Sequence, residues 1–522
     1  MQHQSIPRGT AARFPSTPRE LARRLAATPV VLVLLFALAV LALNPIGYKG
    51  GGADDWQYLQ AARCAAAQGF CFPEDHWWRR FFIVAPAGLA IRLFGESQIA
   101  MALFPLICGL GSIALFVRLV ERQFGRCEAL IGGLAFAATP VVGERLLEIN
   151  IDTAELLLLL GAATCLEIAH RTGRRWLFPL AGALIGVAIL CRPTQLALLP
   201  IFAAAFWFVP DWRGRAPAFV AGLLAPILTE AAVYAIWAGD ALFPWKLSMA
   251  HTRIPSTELE ATVNLAQSPL FNIAYIDGWK PSMGLSVHWT VDGLLNLLIH
   301  PGIGLSIVAA LMLIGLDHRR LLSPDPRAKL LLFLIGASMA FFGALVYAFA
   351  IDPKPRMFLP VLAVACAAFG YLGAERLRTR DKLLVIACLS LLAVKGVVAS
   401  WDRLRVDPVA ATAAEWVRAE PGAIAATPFA AAILTLTPEV RNLPVGRDAR
   451  PKLLVLGATD CLTAGRDHPG WRVLREQLYT RHEPQLMAEM RKARLLFQPT
   501  QVIALCLLER PAGSAQVGRG RL

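Results

Sequence analysis

The sequence predicts an α-helical, multi-pass membrane protein that carries a small α/β domain at its C-terminal end. Of its 522 residues, 56% are apolar and only 17% are charged, and the mean hydropathy is +0.53. Soluble domains carry about 25% charged and about 45–50% apolar residues. Because the apolar surplus is arranged in long runs, the composition excludes a water-soluble globular fold.

Eleven apolar runs approach the length of one membrane crossing, which takes about 20 residues. They are 28–46, 97–117, 128–143, 153–169, 176–191, 195–210, 216–237, 292–316, 330–350, 357–374 and 383–400. A further run, "FFIVAPAGLAIRLFG" (81–95), is short and contains a proline and an arginine. We therefore expect it to lie at the membrane interface or to re-enter the membrane instead of crossing it.

The distribution of basic residues predicts which loops face the cytoplasm. A net charge of +14 would suggest nucleic acid as a partner in a soluble protein, but here Lys and Arg concentrate in alternate segments between apolar runs, as expected of cytoplasmic segments. These segments are 1–27, 118–128, 170–175, 211–215, 317–329 and 375–382. The loops 47–96, 144–152, 238–291 and 352–356 are then extracytoplasmic. The chain has no Asn-x-Ser/Thr site and is rich in Ala, Arg and Leu, which favours a bacterial inner membrane.

Beyond residue 400 the pattern changes to that of a mixed domain. "WDRLRVDPVAATAAEWVRAEPGAIAATP" predicts a helix, a turn and a strand, while "RPKLLVLGATDC" and "TQVIALCLLER" predict buried strands. The charged stretch at about 470–495, between those two strands, predicts a helix. We divide the chain into a cytoplasmic tail (1–27), a transmembrane domain (28–400) and an extracytoplasmic α/β domain (401–522).

Two adjacent carboxylates, Asp54 and Asp55, follow the first apolar run in "GYKGGGADDWQYLQAAR". The glycine-rich approach indicates a helix start, and Asp is a good N-cap. A cap needs only one carboxylate, however, so the second has no structural explanation.

Other charged residues lie at the predicted extracytoplasmic ends of spans. Asp152 in "EINIDTAELLLLL" fits a capping box with Glu155. Arg356 and Lys354 lie in "DPKPRMFLP" and Arg192 in "CRPTQ"; they could bind an anion or extend to lipid headgroups. Arg79 and Arg80 directly precede the short apolar run 81–95. They could bind phosphate or anchor an interfacial helix.

An acidic pair at the head of an amphipathic helix after the first span resembles the GT-C class of glycosyltransferases. The chain is most similar to the branch that contains protein O-mannosyltransferases and the aminoarabinose transferases of lipid A. The likeness takes in "HWWRRFFIVAPAGLAIRLFG", "RTGRRWLFPLAGALIGVAILCRPT" and "PKPRMFLPVLA", and covers most of 28–400 as a pattern of spans. It does not extend to 401–522.

The resemblance implies transfer of a sugar from a polyprenyl-phosphate donor to an acceptor hydroxyl at the extracytoplasmic face, with inversion. Because the leaving group is a phosphate, the reaction needs a base for the acceptor and positive charge for the phosphate. Asp54 is the expected base, with Asp55 beside it. The expected phosphate ligands are Arg356, Arg192, Lys354, Arg79 and Arg80. Asp152 is expected to face the same active-site cavity as Asp54 and Asp55, near the acceptor or a metal ion.

The resemblance leaves the need for a divalent cation open, since some members of the class use one. The acceptor could be a lipid, a glycan or a protein. No two histidines have metal-ligand spacing, and His76, His251 and His288 are expected to be ordinary loop residues.

Cys64 and Cys71 share one extracytoplasmic loop, where they could form a disulfide or remain free thiols; Cys461 and Cys506 could also pair.

A transporter or flippase for a lipid-linked solute is the alternative function. Such a protein is expected to carry ionisable residues at mid-membrane and repeated, broken helices. In this sequence the charged residues concentrate at one membrane face and no repeat is visible, which favours the transferase.

Overall fold

A computed structural model of the chain describes residues 28–43, 53–73, 75–251, 289–348, 354–378, 381–401, 407–434, 437–446, 449–457, 461, 470–480 and 502–510. The predicted tail 1–27 and most of the predicted loop 238–291 lie outside these residues.

The apolar part of the chain folds into helices, as expected of Leu- and Ala-rich runs whose backbone groups must bond internally in lipid. The first set is α1 (Pro29–Ala42), α2 (Ala53–Gln68), α3 (Phe81–Phe94), α4 (Gln98–Gln123), α5 (Arg126–Ala137), α6 (Pro140–Arg145), α7 (Asp152–Thr172), α8 (Leu177–Cys191), α9 (Leu199–Phe208), α10 (Pro210–Arg213), α11 (Ala216–Ala238) and α12 (Phe243–His251). The second set is α13 (Trp289–Ile299), α14 (Gly304–Leu316), α15 (His318–Leu321), α16 (Pro326–Gly343), α17 (Leu359–Arg378) and α18 (Lys382–Trp401). Single-turn or π segments precede α9 and α17 and follow α16: Pro193–Leu198, Pro355–Phe358 and Ala344–Ala348.

The helical, multi-pass architecture is as predicted. Among the described residues, six helices are long and apolar enough to cross a membrane: Ile99–Gln123, Asp152–Thr172, Ala216–Ala238, Pro326–Ala348, Pro355–Arg378 and Lys382–Ser400. A seventh candidate is the pair Gly293–Ile299 and Gly304–Leu316, which is bent by 102°. The remaining predicted crossings contain the shorter helices α1, α5, α8 and Pro193–Phe208. The number eleven therefore stays a prediction.

Four of the segments predicted to be cytoplasmic, 118–128, 170–175, 317–329 and 375–382, meet at one end of the helix bundle. Arg171, near the end of α7, donates to the backbone carbonyl of Arg122 at 2.7 Å, and Arg376 donates to Asp317 at 2.9 Å. Asp152 begins α7 and so lies at the opposite end. We call that opposite end the Asp152 end.

Helices α8 and α11 pack with their backbones in direct contact. A Cβ atom at Gly186 would collide with the carbonyl of Leu223, and one at Gly222 with the carbonyl of Pro179. Small residues allow such close approach between membrane helices. Beyond these contacts, towards the Asp152 end, the same two helices line a groove.

The C-terminal part contains α19 (Asp407–Ala419), β1 (Ile424–Ala426), α20 (Pro428–Ile433), α21 (Pro438–Arg441), β2 (Lys452–Gly457), β3 (Arg472–Thr480) and β4 (Val502–Glu509). The strands form one sheet in the order β1-β2-β4-β3, with β1 parallel to β2 and the other pairs antiparallel. Leu454 and Leu505 pack on one face, while Leu453 and Cys506 pack on the other. The helix and the strands predicted around 407–426, 452–457 and 502–509 are thus present.

The helix predicted at about 470–495 is wrong over residues 472–480, where the chain forms β3. β3 pairs with β4 in an antiparallel arrangement through backbone hydrogen bonds. This pairing runs from Arg472 opposite Glu509 to Thr480 opposite Val502. Long-range pairing therefore overrides the local charge spacing that favoured a helix.

The C-terminal part contacts the membrane-embedded part at α2. Helix α20 packs on α2, and Glu96 accepts a hydrogen bond from Arg63 of α2 at 3.0 Å and lies 3.6 Å from Arg441 of α21. The structure also joins Cys64 to Cys71 and Cys461 to Cys506 by disulfides, with Cα–Cα distances of 6.1 and 5.7 Å.

Candidate active site

Asp54 and Arg356 form an ion pair at the Asp152 end of the bundle. Asp54 is the second residue of α2, and its Oδ2 accepts from Arg356 Nη2 at 3.0 Å. Arg356 lies in the single turn that precedes α17. The Asp54 side chain is 39% exposed and that of Arg356 is 26% exposed, so both remain reachable by a substrate.

Neighbouring cations keep Asp54 ionised. Burial raises the pKa of its carboxyl, but the charges of Arg356, Arg80 and Lys354 outweigh burial and hold the pKa below its ordinary value. Asp54 is therefore a carboxylate at neutral pH. It is a weak base in this state, and positive charge surrounds it.

A second, more deeply buried pair lies beside the first. Arg192 follows α8 and donates to Asp152, and its Nη1 lies 3.1 Å from Glu155 Oε2. The side chains of Asp152 and Glu155 are 2% and 4% exposed. Burial lowers the pKa of Arg192, but Glu155, Asp152 and Asp54 together raise it, which places both pairs in one electrostatic site.

The predicted capping box of Asp152 and Glu155 is wrong. Asp152 is already inside the helix, and the amide of Thr153 instead donates to the side chain of Asn150 at 3.1 Å. The carboxylates of the expected box face Arg192. Asp152 is therefore occupied by an ion pair within the site and does not cap the helix.

Arg80 interacts electrostatically with residues of both ion pairs. It donates to the hydroxyl of Tyr58, and its guanidinium carbon lies 5.5 Å from the centre of the Tyr58 ring. Burial and the charge of Arg192 lower the pKa of Arg80 to about 10, while Asp54 and Asp152 act in the opposite direction. Arg80 is thus a half-buried cation that stays charged at neutral pH.

Arg79 has different neighbours. It is 2% exposed, donates to the carbonyl of Leu190 at 3.4 Å and lies over the ring of Trp245 at 5.6 Å from its centre. Arg79 and Arg80, both expected as phosphate ligands, therefore have different hydrogen-bond partners, although both line the groove beside α8 and α11.

One expected site residue, Asp55, and two of the histidines considered above fall outside the described side chains. Asp55 is part of α2, but its side chain is not among those described, and the same holds for His251; His288 lies outside the described residues. Among the described residues, no group of three or more His, Cys, Asp or Glu side chains could hold a metal ion. His76 is buried, and its ring centre lies 3.7 Å from that of Trp77.

Three residues close to these side chains were not predicted from the sequence. Tyr58 of α2 carried no sequence signal beyond a helix position. Glu230 and Tyr234 lie in α11 and act electrostatically on Arg79. Glu230 is the single charged residue in the apolar run 216–237, a signal that could have been used, because an ionisable group inside a span marks a functional site.

Part of the chain matches the model of a known protein family. Residues 82–237 match the model of the dolichyl-phosphate-mannose-protein mannosyltransferases. This segment contains Asp152, Arg192 and Glu230, whereas Asp54 and Arg356 lie outside it. Over 112 residues the chain is 34% identical to the candidate mannosyltransferase YycA of Bacillus subtilis (strain 168), a match that spans 21% of this chain and 16% of YycA.

Solved structures extend the likeness to most of the chain. ArnT from Cupriavidus metallidurans in the apo state aligns over 91% of this chain and 97% of its own, with a TM-score of 0.51 and 14% identity. The same ArnT bound to undecaprenyl phosphate aligns with a TM-score of 0.49 at 14% identity over the same shares of the two chains. At this identity the apo structure shows a shared fold. The resemblance to the GT-C glycosyltransferases is therefore confirmed, in sequence over residues 82–237 and in fold over most of the chain.

Proposed function

We propose that this protein transfers a sugar from a polyprenyl-phosphate donor to an acceptor hydroxyl, at the end of the bundle that carries Asp54. The observation that carries this proposal is the pairing of an exposed carboxylate, Asp54, with Arg356, next to two further cations, Arg80 and Arg192. The family model that matches residues 82–237 describes enzymes with a lipid-phosphate sugar donor, which supports the donor class.

The proposed step is a single displacement. Asp54 accepts the proton of the acceptor hydroxyl while the hydroxyl oxygen forms a bond to the anomeric carbon. The bond from that carbon to the phosphate oxygen breaks, and its electron pair leaves with the polyprenyl phosphate. Such a step inverts the anomeric centre. Asp54 can act although it is a weak base, because the hydroxyl becomes acidic as its bond to carbon forms.

Arg356, Arg192 and Arg80 are the proposed ligands of the departing phosphate. Arginine presents a planar set of donors that suits phosphate oxygens, and cations aimed at developing charge lower the barrier. Asp152 and Glu155 hold Arg192 in place through their ion pairs. Lys354 adds positive charge near Asp54.

We propose that the site lies on the extracytoplasmic side of a bacterial inner membrane. The basic loop segments 118–128, 170–175, 317–329 and 375–382 are at the opposite end of the bundle from Asp152, as the positive-inside rule requires of cytoplasmic loops. Eleven crossings, with α3 at the interface, remain the proposed topology, and 401–522 the proposed extracytoplasmic domain.

Consumption of a lipid-linked sugar tests this function directly. Purified protein in nanodiscs is given a panel of polyprenyl-phosphate sugars with a crude envelope extract as acceptor, and released polyprenyl phosphate is measured. We expect one donor to be consumed only when acceptor is present. If no donor in the panel is consumed, the proposed function is wrong.

Transport of a lipid-linked solute is the second candidate. Two observations favour it: an ionisable residue inside a span, Glu230, and the bend of 102° between Gly293–Ile299 and Gly304–Leu316, since transporters use such residues and broken helices. Transport predicts that a fluorescent lipid-linked sugar changes leaflet without loss of its sugar. The transferase predicts sugar loss without a change of leaflet.

A further inference from the structure

A groove of about 510 Å³ opens beside the acidic site, between α3, α8 and α11. It begins where the close glycine contacts between α8 and α11 end, with Leu190 on one helix and Val233 on the other. Phe70 and Phe81 complete its apolar wall, and their rings stack with centres 4.6 Å apart. A groove of this size accommodates a small amphipathic molecule or the head of a lipid.

Three buried polar atoms line the groove without a hydrogen-bond partner among the described residues. They are Arg79 Nη1, Glu230 Oε2 and Tyr234 Oη. Arg79 is 2% exposed and Tyr234 is fully buried. Leaving a buried polar atom unpaired is costly, so each such atom in a folded protein calls for an explanation.

A direct ion pair between Arg79 and Glu230 would be the simplest explanation. The two side chains influence each other electrostatically, yet the structure places no contact of 4.0 Å or less between their charged atoms. The guanidinium of Arg79, the carboxyl of Glu230 and the phenol of Tyr234 therefore line the same groove, and these three atoms form no hydrogen bond to one another.

The chemistry of these groups defines a complementary ligand. Arg79 offers donors for an anionic or carbonyl oxygen, whereas Glu230 as a carboxylate accepts from a hydroxyl or an amine. The apolar wall adds room for hydrocarbon. A phosphate that joins a polyhydroxylated ring to an isoprenoid chain supplies all three features in one molecule.

The groove adjoins the acidic site through consecutive residues. Arg80 donates to Tyr58 and interacts electrostatically with Asp54. Both Arg80 and Arg79 line the groove. A phosphate held between these two arginines would have its sugar within reach of Glu230.

We propose that Glu230 and Tyr234 bind the hydroxyl groups of the donor sugar and so select the sugar, with Arg79 holding the adjoining phosphate. This inference rests on the proposed function, because it takes the groove ligand to be the lipid-linked donor.

Donor binding, measured without turnover, tests this inference. Each protein variant in nanodiscs is titrated with a sugar-free polyprenyl phosphate and with polyprenyl phosphates that carry a mannose, a glucose or a pentose, and binding is followed by native mass spectrometry. We expect the wild type to bind one sugar-bearing lipid more tightly than the sugar-free lipid. Glu230→Gln and Tyr234→Phe should each remove about tenfold of that preference, while Arg79→Met should weaken both kinds of lipid.

Thr229→Val is the matched control. Thr229 lines the same groove, but its hydroxyl already donates to the carbonyl of Ala225 at 2.8 Å, so this variant should keep the wild-type preference. If the wild type binds sugar-bearing and sugar-free lipids equally, or if Glu230→Gln and Tyr234→Phe leave the preference intact, the inference is wrong.

The two proposals can fail separately. If sugar transfer occurs but the preference does not depend on Glu230 or Tyr234, only the sugar subsite is refuted. If the preference depends on these residues but no acceptor ever receives sugar, the transferase is refuted and a binding or transport role for the same groove remains.

Discussion

Arg356 couples the proposed base to the proposed phosphate site. Its guanidinium donates to Asp54 at 3.0 Å and helps to hold the pKa of that carboxyl down. In the proposed reaction, a donor phosphate bound to Arg356 would share its positive charge. Asp54 would then be a stronger base, because less positive charge would remain to stabilise its ionised form.

Replacing Arg356 should change both the rate and its pH dependence. For Arg356→Met we expect kcat to fall by about 100-fold or more, because one preorganised donor to developing charge is lost. The acid limb of the kcat/KM profile should move to higher pH, since removal of Arg356 raises the pKa of Asp54 and the base must be deprotonated to act. The measurement is sugar transfer across acidic and neutral pH.

Arg418→Met is the control for charge removal, because Arg418 is 67% exposed and lies 3.7 Å from Glu439 in the C-terminal part. It should leave the pH profile unchanged. An acid limb that stays in place in Arg356→Met would contradict the assignment of Asp54 as the titrating base.

Asp54 and Asp152 should differ in their effect on stability. Asp152 is 3% exposed and paired with Arg192, so Asp152→Asn leaves a buried cation partly uncompensated and should lower the free energy of unfolding by up to about 3 kcal/mol. Asp54 is 39% exposed, and Asp54→Asn should cost less than about 1 kcal/mol. Thermal unfolding in detergent compares the two. Equal losses would mean that Asp54 is as much a structural residue as Asp152.

At the scale of the elements, the contact between α8 and α11 sets the geometry of the groove. Gly186 and Gly222 bring the two backbones together, and the groove lies directly beyond that contact. The close packing of these two helices therefore fixes the positions of Glu230 and Tyr234 in the groove.

A methyl group at Gly222 should separate the two helices. In Gly222→Ala the new Cβ would overlap the backbone of Pro179, and overpacking of this kind costs about 1–3 kcal/mol. We expect a lower unfolding temperature and weaker donor binding. Gly336→Ala is the control, because a Cβ at Gly336 of α16 meets no atom within 4 Å. If both variants unfold at the wild-type temperature, the close packing of α8 and α11 is not as described.

At the scale of the whole molecule, the two ends of the bundle differ in composition. One end gathers ion pairs among the basic loops, such as Arg376 with Asp317. The other gathers Asp54, Asp152 and their arginine partners. This polarity underlies the proposed sidedness of the protein.

Labelling with an impermeant maleimide tests that sidedness. In a variant whose free cysteines are replaced by serine, Glu415→Cys in α19 should be labelled in intact cells. Arg174→Cys, after α7, should be labelled only once the membrane is opened. Both positions are exposed. The reverse pattern, or equal labelling, would contradict the proposed topology.

The sequence predicted which charged residues lie close together better than how they pair. Asp54, Asp152, Arg192 and Arg356 were all candidates, because each is a charged residue at the end of an apolar run. The partners of these residues could not be read from the sequence, since Asp54 and Arg356 are 302 positions apart and Asp152 and Arg192 are 40 apart. Only packing of the helices brings them together.

Two errors have definite physical causes. The predicted helix at 470–495 failed over 472–480 because strand β4 supplies a partner that no local pattern reveals. The predicted capping box failed because Arg192, distant in sequence, binds the carboxylate of Asp152. In both cases a long-range interaction replaced a plausible local one.

The most direct test of the account is sugar transfer by the wild type and by Asp54→Asn, measured beside donor binding by the same two proteins. Asn keeps the size of the side chain but cannot accept the acceptor's proton as a carboxylate does. We predict that Asp54→Asn binds the lipid-linked donor about as well as the wild type and loses transfer by about 100-fold or more. Transfer at the wild-type rate would contradict the central claim that Asp54 is the base.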